Sequence, residues 1–172
     1  KKFSRKIKAK LALDATASFG LEPLHELADV ISYSSCKGLF GLTGASFVSY
    51  NIEPQNEVNS FNLDINSHIE KKMTGPYHSI QSLEKVLDKR SNFLHSVIVN
   101  KERFLKIFYN KLIYNIKNQP LICTYVKCKL TSKDNRVIFY KPRINLKGSV
   151  VCHLGEVHLG KKAKGNILKK IS

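Results

Sequence analysis

Residues 79–117 read SIQSLEKVLDKRSNFLHSVIVNKERFLKIFYNKLIYNIK, and the spacing of their apolar side chains organises the rest of the chain. At about 100° per residue, Ile80, Leu83, Leu87, Leu94, Val97, Ile98, Leu105, Phe108, Leu112 and Ile116 share one broad face, as in an amphipathic helix laid on a core. Lys85, Lys89, Arg103, Lys106 and Lys117 fall on the opposite side. Ser79 is placed to cap the start, with Ser82 and Glu84 in the first turn. One unbroken rod would be ~58 Å long, more than a small domain needs, and it would turn Arg90 and Lys101 toward the apolar side. A break near Ser91 or Asn100 is therefore expected, giving a helical hairpin or a bent helix. Asn118, Gln119 and Pro120 end the section.

Downstream, the pattern changes to short runs rich in Val, Ile, Tyr and Phe. Three strands are predicted, at 121–130, 136–146 and 150–159, joined by a Ser-Lys-Asp-Asn turn at 132–135 and by Lys147-Gly148. Upstream, residues 3–17 carry Phe3, Ile7 and Leu11 at helical spacing among Lys and Ala, and Gly20 marks their end. A second helix is expected over 22–33, with Pro23 in its first turn, where a missing N–H costs nothing. Residues 34–76 read as irregular, with short strands at 46–52 and 61–65. Gly38, Gly41 and Gly44 recur every third residue there, as in a loop or a close backbone approach. The expected fold is α+β: N-terminal helices, a long amphipathic helical section, then a C-terminal three-stranded antiparallel meander. The expected organisation is a basic arm at 1–17, an acidic section at 18–76 and a basic helix-plus-meander domain at 77–172.

The charge is segregated along the chain. With 29 Lys+Arg against 13 Asp+Glu, the 172 residues carry a net charge of +16. Residues 1–10 hold six cations (Lys1, Lys2, Arg5, Lys6, Lys8 and Lys10) and no carboxylate. Residues 11–70 hold eight carboxylates and the single lysine Lys37, a net of −7. Residues 71–118 hold ten cations against three acids, and 119–172 twelve against two. Uniform lysine enrichment would not leave sixty residues with one lysine. A polarised basic surface of this kind suits a polyanion, since each Lys or Arg that meets a phosphate releases a condensed counterion.

On the charge and on the basic and aromatic residues that alternate along the predicted strands, the expected function is non-enzymatic nucleic-acid binding, RNA ahead of DNA, within a larger ribonucleoprotein assembly. Lys127, Lys129, Arg136, Lys141, Arg143, Lys161, Lys162 and Lys164 would contact phosphates, joined by Lys85, Lys89, Arg103 and Lys106 on the helical section. Tyr125 and Tyr140 would stack unpaired bases. The alternative is a structural or interaction subunit of a macromolecular or membrane-associated complex. Its basic face would then meet an acidic partner or anionic lipid, and residues 11–70 would dock other proteins.

No motif assigns a reaction or a cofactor. His25-Glu26 lacks the second histidine of H-E-x-x-H, the three glycines lack a Gly-Lys-Ser/Thr ending, and no G-x-S-x-G elbow occurs. Asp14, Glu22, Glu26 and Asp29 read as ordinary helix surface. Cys152 and His153 are neighbours on a predicted strand and so face apart. Cys123, Cys128, Cys152, His153 and His158 include no C-x2-C pair, so no metal site is expected. The four cysteines form no dense disulfide framework, as befits a reducing intracellular compartment. No apolar run approaches the ~18–20 residues that cross a bilayer.

Overall fold

The computed structural model describes residues 1–53, 58–60, 62–71, 75–135, 137, 140, 145, 147–155, 157 and 168–171. The chain forms a mixed α+β structure divided into two compact units, Lys1–Phe19 with Pro23–Leu87, and Gly20–Glu22 with Asp88–Ser172.

The first unit is built on a three-stranded sheet. After a short helix α1 (Lys2–Lys6) come β1 (Ala12–Asp14), β2 (Val30–Ser34) and β3 (Ser46–Tyr50). β2 is central: it runs parallel to β1, with Asp14 opposite Ser32, and antiparallel to β3, with Ser34 opposite Ser46. Residues 15–29 supply the crossover that a parallel pair requires. Helices α2 (Ile65–Glu70) and α3 (Tyr77–Leu87) complete the unit. Asp29 anchors the open end of the parallel pair. Its carboxylate pairs with Lys1 and accepts from Leu11 N at 2.8 Å, while its carbonyl accepts from Asn51 N at 3.0 Å.

The α+β class expected from the sequence is the one the structure shows, with small N-terminal helices; strands and turns take the rest of the ranges expected to be helical. In the range 3–17 the helix ends at Lys6 and residues 12–14 form β1; the helix expected over 22–33 is a 3-10 turn (His25–Leu27) followed by β2. The apolar spacing of so short a stretch fits either structure, and pairing with a distant segment decides it. The strand expected over 46–52 is present as β3. Of the strand expected over 61–65, Phe61 lies outside the described residues, and 62–64 form a turn into α2, whose N-cap Asp64 accepts from Asn66 N at 3.1 Å and from Ser67 Oγ at 2.7 Å.

The second unit opens with α4 (Arg90–Phe108), so the helical section breaks at Asp88–Lys89, near Ser91, and runs unbroken through Asn100. The break resets the helical phase. Phe104, absent from the continuous-helix face, is 1% exposed and joins Phe108, Val126 and Leu130 in the core. Lys101 does point inward, as the single-rod reading implied, and donates from Nζ to the Pro120 carbonyl at 2.7 Å. Burial lowers its pKa, while the charges of Cys123 and Glu22 oppose the shift. β4 (Cys123–Val126) and β5 (Ser149–Cys152) form a two-stranded antiparallel sheet against this core.

The three-stranded meander is corrected accordingly. β4 pairs directly with β5; the strand expected between them, over 136–146, lies mostly outside the described residues, and among those described Tyr140 bridges to Val150. Gly148 allows the entry to β5: its φ is +128°, and an added Cβ would lie 2.1 Å from the Val126 carbonyl oxygen. Beneath the sheet, His153 is 4% exposed and its Nε2 shares a hydrogen bond with Thr124 Oγ1 at 2.8 Å. Among the described residues, no helix is long and apolar enough to cross a membrane.

Candidate functional site

In open α/β sheets, ligands are bound beyond the carboxyl ends of parallel strands, where side chains from successive turns converge. Here that position is the end shared by β1 and β2, and each strand delivers one charged, exposed group. β1 delivers Asp14 as its last residue, and β2 delivers Lys37 three residues beyond its end.

Asp14 is held by the turn that follows it. Its Oδ1 accepts from Thr16 N at 2.9 Å, and hydrogen bonding to Thr16 keeps the carboxyl below its ordinary pKa, so it is ionised at neutral pH. Ala15, fully buried, donates its N–H to the Ser32 carbonyl at 2.8 Å and ties the turn to β2. The crossover then packs Phe19 flat on Tyr33, with ring centroids 3.8 Å apart, and Tyr33 in turn stacks on Phe47. His25 Nε2 meets Ser18 Oγ at 2.9 Å.

Lys37 stands at the head of a tight loop. Its φ is +59° and that of Phe40 is +63°, a left-handed conformation that is uncommon for residues other than glycine and costs of order 1–3 kcal/mol. Surrounding bonds hold the loop in this shape. Buried Ser35 donates from Oγ to the Leu42 carbonyl at 2.5 Å and accepts from Ala45 N at 3.3 Å, while its carbonyl accepts from Gly41 N at 2.9 Å. From α3, Ser82 Oγ accepts from Leu42 N at 2.8 Å, and Ser79 Oγ donates to the Thr43 carbonyl at 3.3 Å. Beside Lys37, burial raises the Cys36 thiol pKa, but hydrogen bonds with Ser34 and Thr43 and the Lys37 charge outweigh it, and the net shift is downward. The result is a primary amine and an ionised carboxylate on rigidly held turns of adjacent strands. Such an amine can condense with a carbonyl carbon, and such a carboxylate can accept from a cationic N–H donor.

The cations expected to bind nucleic acid are distributed differently. Lys85 is exposed on α3 in the first unit. Lys89, Arg103 and Lys106 are exposed on or beside α4, and Lys127 and Lys129 alternate outward between buried Val126 and Leu130. Tyr125 is half-buried with its ring tilted against Tyr114, and Tyr140 is exposed. Arg136, Lys141, Arg143, Lys161, Lys162 and Lys164 lie outside the described residues. Among the described residues, no three His, Cys, Asp or Glu side chains gather as a metal set. In the acidic section, carboxylates hold local structure: Asp29 and Asp64 as above, and Glu22 by accepting from Leu121 N at 2.6 Å.

Sequence reasoning missed both Asp14 and Lys37. Asp14 was hidden because β1 reads as helix. Lys37 carried a usable signal, being the one cation among residues 11–70 and followed directly by a glycine-rich loop.

No protein-family profile matches the chain, and no curated protein matches it. In structure it is similar to the alanine–glyoxylate aminotransferase of Nostoc sp., with a TM-score of 0.59 and 18% identity. The match covers 79% of this chain and 41% of that one, so the chain spans about two-fifths of the length of the enzyme it resembles. This likeness overturns the expectation of a non-enzymatic nucleic-acid-binding protein, since the fold found is shared with part of an aminotransferase. The alternative of an interaction or membrane-associated subunit gains no support either. Net charge bears on solubility and non-specific association, not on fold, and it was the main basis of both readings.

Proposed function

We propose that this chain carries the lysine-bearing part of an aminotransferase-type enzyme dependent on pyridoxal phosphate. The observation that carries the reading is the placement of Asp14 at the carboxyl end of β1 and of Lys37 just beyond that of the adjacent parallel strand β2, in a fold similar to part of an aminotransferase. Pyridoxal enzymes use a lysine amine to hold the cofactor and commonly a carboxylate to face its ring nitrogen. The donor set here fits: Lys37 supplies the primary amine that would hold the aldehyde, and Asp14 the anion that would hold a proton on the ring nitrogen. When bound, the cofactor supplies an electron sink for carbanion chemistry beside an amino group.

The remaining residues act on position. Ser35, Ser79 and Ser82 brace the Lys37 loop, and hydrogen bonding from the Thr16 side chain and then its N–H holds the Asp14 carboxyl below its ordinary pKa. Transfer of an amino group between an amino acid and a 2-oxo acid is the reaction class this reading implies.

The test is capture of pyridoxal phosphate by the purified protein, followed by borohydride reduction and peptide mapping. The pyridoxyl group is expected on Lys37 and should be lost in Lys37→Ala. Asp14→Asn should weaken capture roughly tenfold or more, the worth of a charge-assisted hydrogen bond. Labelling spread over the exposed lysines, with Lys37 no richer than the rest, would overturn the reading.

A further inference from the structure

We infer that Cys123 and Cys152 form a redox-modification site, a thiol pair that a low-molecular-weight disulfide oxidises to an intramolecular disulfide across β4 and β5. The inference concerns the second unit and does not depend on the reading of Lys37. Cys123 and Cys152 are directly opposite each other in the antiparallel register, and both are thiols in this structure.

Opposite residues in an antiparallel ladder are of two kinds, and the hydrogen bonds distinguish them. His153 N donates to the Ile122 carbonyl at 2.7 Å, so the pair just outside Cys123–Cys152 is hydrogen-bonded across the strands. Two residues along β4, Tyr125 turns its backbone away from β5. Its N–H donates to Gln119 Oε1 at 2.7 Å, and its carbonyl accepts from Ile113 N at 3.1 Å. By the two-residue period of a strand, Cys123 faces the same way as Tyr125, and its N–H donates to Pro120 rather than to Cys152. Cys123–Cys152 is therefore a non-hydrogen-bonded pair. In such pairs the Cα atoms stand about 4.5 Å apart and the side chains are closest, within the ~4.4–6.8 Å that a disulfide accepts.

The pair is also on the accessible face. Thr124 and Val126 are buried beneath β4, so Cys123 and Tyr125 project from the other side, and Cys152 is exposed there while its neighbour His153 is buried. Cys128 lies beyond β4, packed against the core cluster, and has no cysteine opposite it in the β4–β5 register.

The reaction balances without a further co-reactant. The exposed Cys152 thiolate attacks one sulfur of the small disulfide, forming a mixed disulfide and releasing one small thiolate. Cys123 then attacks the Cys152 sulfur, the protein S–S bond forms, and the second small thiolate leaves. The two protein thiol protons end on the two leaving thiolates; the cysteines are oxidised and the small disulfide is reduced. The product ties β5 covalently to β4.

The experiment is titration of the whole protein with oxidised glutathione, read by intact mass and by non-reducing peptide mapping. The expected product has lost the mass of two hydrogens and yields one crosslinked peptide joining Cys123 to Cys152. A Cys36→Ser/Cys128→Ser variant, which keeps the pair, should give the same product. Cys123→Ser should instead stop at a single glutathione adduct on Cys152. Stable glutathione adducts on the unsubstituted protein without a crosslink, or a crosslink through Cys36 or Cys128, would overturn the inference. Because the Cys36→Ser/Cys128→Ser variant leaves β4 and β5 untouched, the test survives even if Cys123→Ser fails to fold.

Discussion

Gly41 and His153 show how single positions set the energetics of each unit. At Gly41 an added Cβ would lie 2.7 Å from Leu83 Cδ2 and 2.9 Å from the Ser35 carbonyl oxygen, which is backbone and cannot swing aside. Gly41→Ala should therefore cost about 1–3 kcal/mol, the usual penalty of overpacking, and loosen the loop that presents Lys37. Urea denaturation checks the first effect, and an unchanged midpoint would refute it. At His153, burial first and the charge of Lys101 second push the imidazole pKa from 6.5 down to about 4. An unfolded chain takes up a proton on this ring near pH ~6.5, while the folded protein does not until near pH 4. The stability that neutral His153 contributes is thus fully present above that range and lost as pH falls through it, by up to roughly 3 kcal/mol. Denaturation midpoints between pH 7 and pH 4 should fall steeply in the natural protein and less steeply in His153→Gln.

At the scale of elements, the break between α3 and α4 decides which apolar residues matter. Phe104 is 1% exposed and stacks on Phe108 with ring centroids 4.6 Å apart, whereas Ile98 is 36% exposed. Phe104→Ala should cost about 3–5 kcal/mol, and Ile98→Ala less than about 1 kcal/mol. Equal costs, measured by urea denaturation, would contradict this phase of α4. The amphipathic section was legible because its period persists over many turns, and Arg90 and Lys101 signalled that it could not be one rod. Which of the two cap-like positions breaks it was not legible, because Ser91 and Asn100 offer similar local chemistry. Lys101 settles the matter through Pro120, nineteen residues away, whose carbonyl makes an inward lysine tolerable in the middle of α4. β1 and β2 were unreadable for the same reason, as their partners lie beyond any local window.

At the scale of the whole chain, which divides into two compact units, a ligand at the ends of β1 and β2 should act first on the unit that contains them. Pyridoxal phosphate is expected to slow hydrogen exchange across residues 12–16 and 30–45, with little change in β4 and β5. Binding to the native state alone adds protection where it occurs. Equal slowing in both units, or none, would count against the site. The net charge of +16 belongs to this scale as well. Its segregation is real, yet it did not indicate function, because the residues proposed to act are one lysine and one aspartate inside the acidic stretch.

From its sequence alone the protein declared an α+β class, a long amphipathic helical section with a break, a strand near residues 46–50 and a C-terminal antiparallel sheet. Each of these rests on periodicity or turn chemistry carried within a few neighbouring residues. Tertiary structure alone decided that residues 12–14 and 30–34 are parallel strands, that β4 meets β5 directly, and that Cys123 stands opposite Cys152. It also brought Asp14 and Lys37 to one end of one sheet. Those pairings join residues 15 or more positions apart, and only the backbone hydrogen bonds of the folded chain select them from the alternatives that local propensity leaves equal.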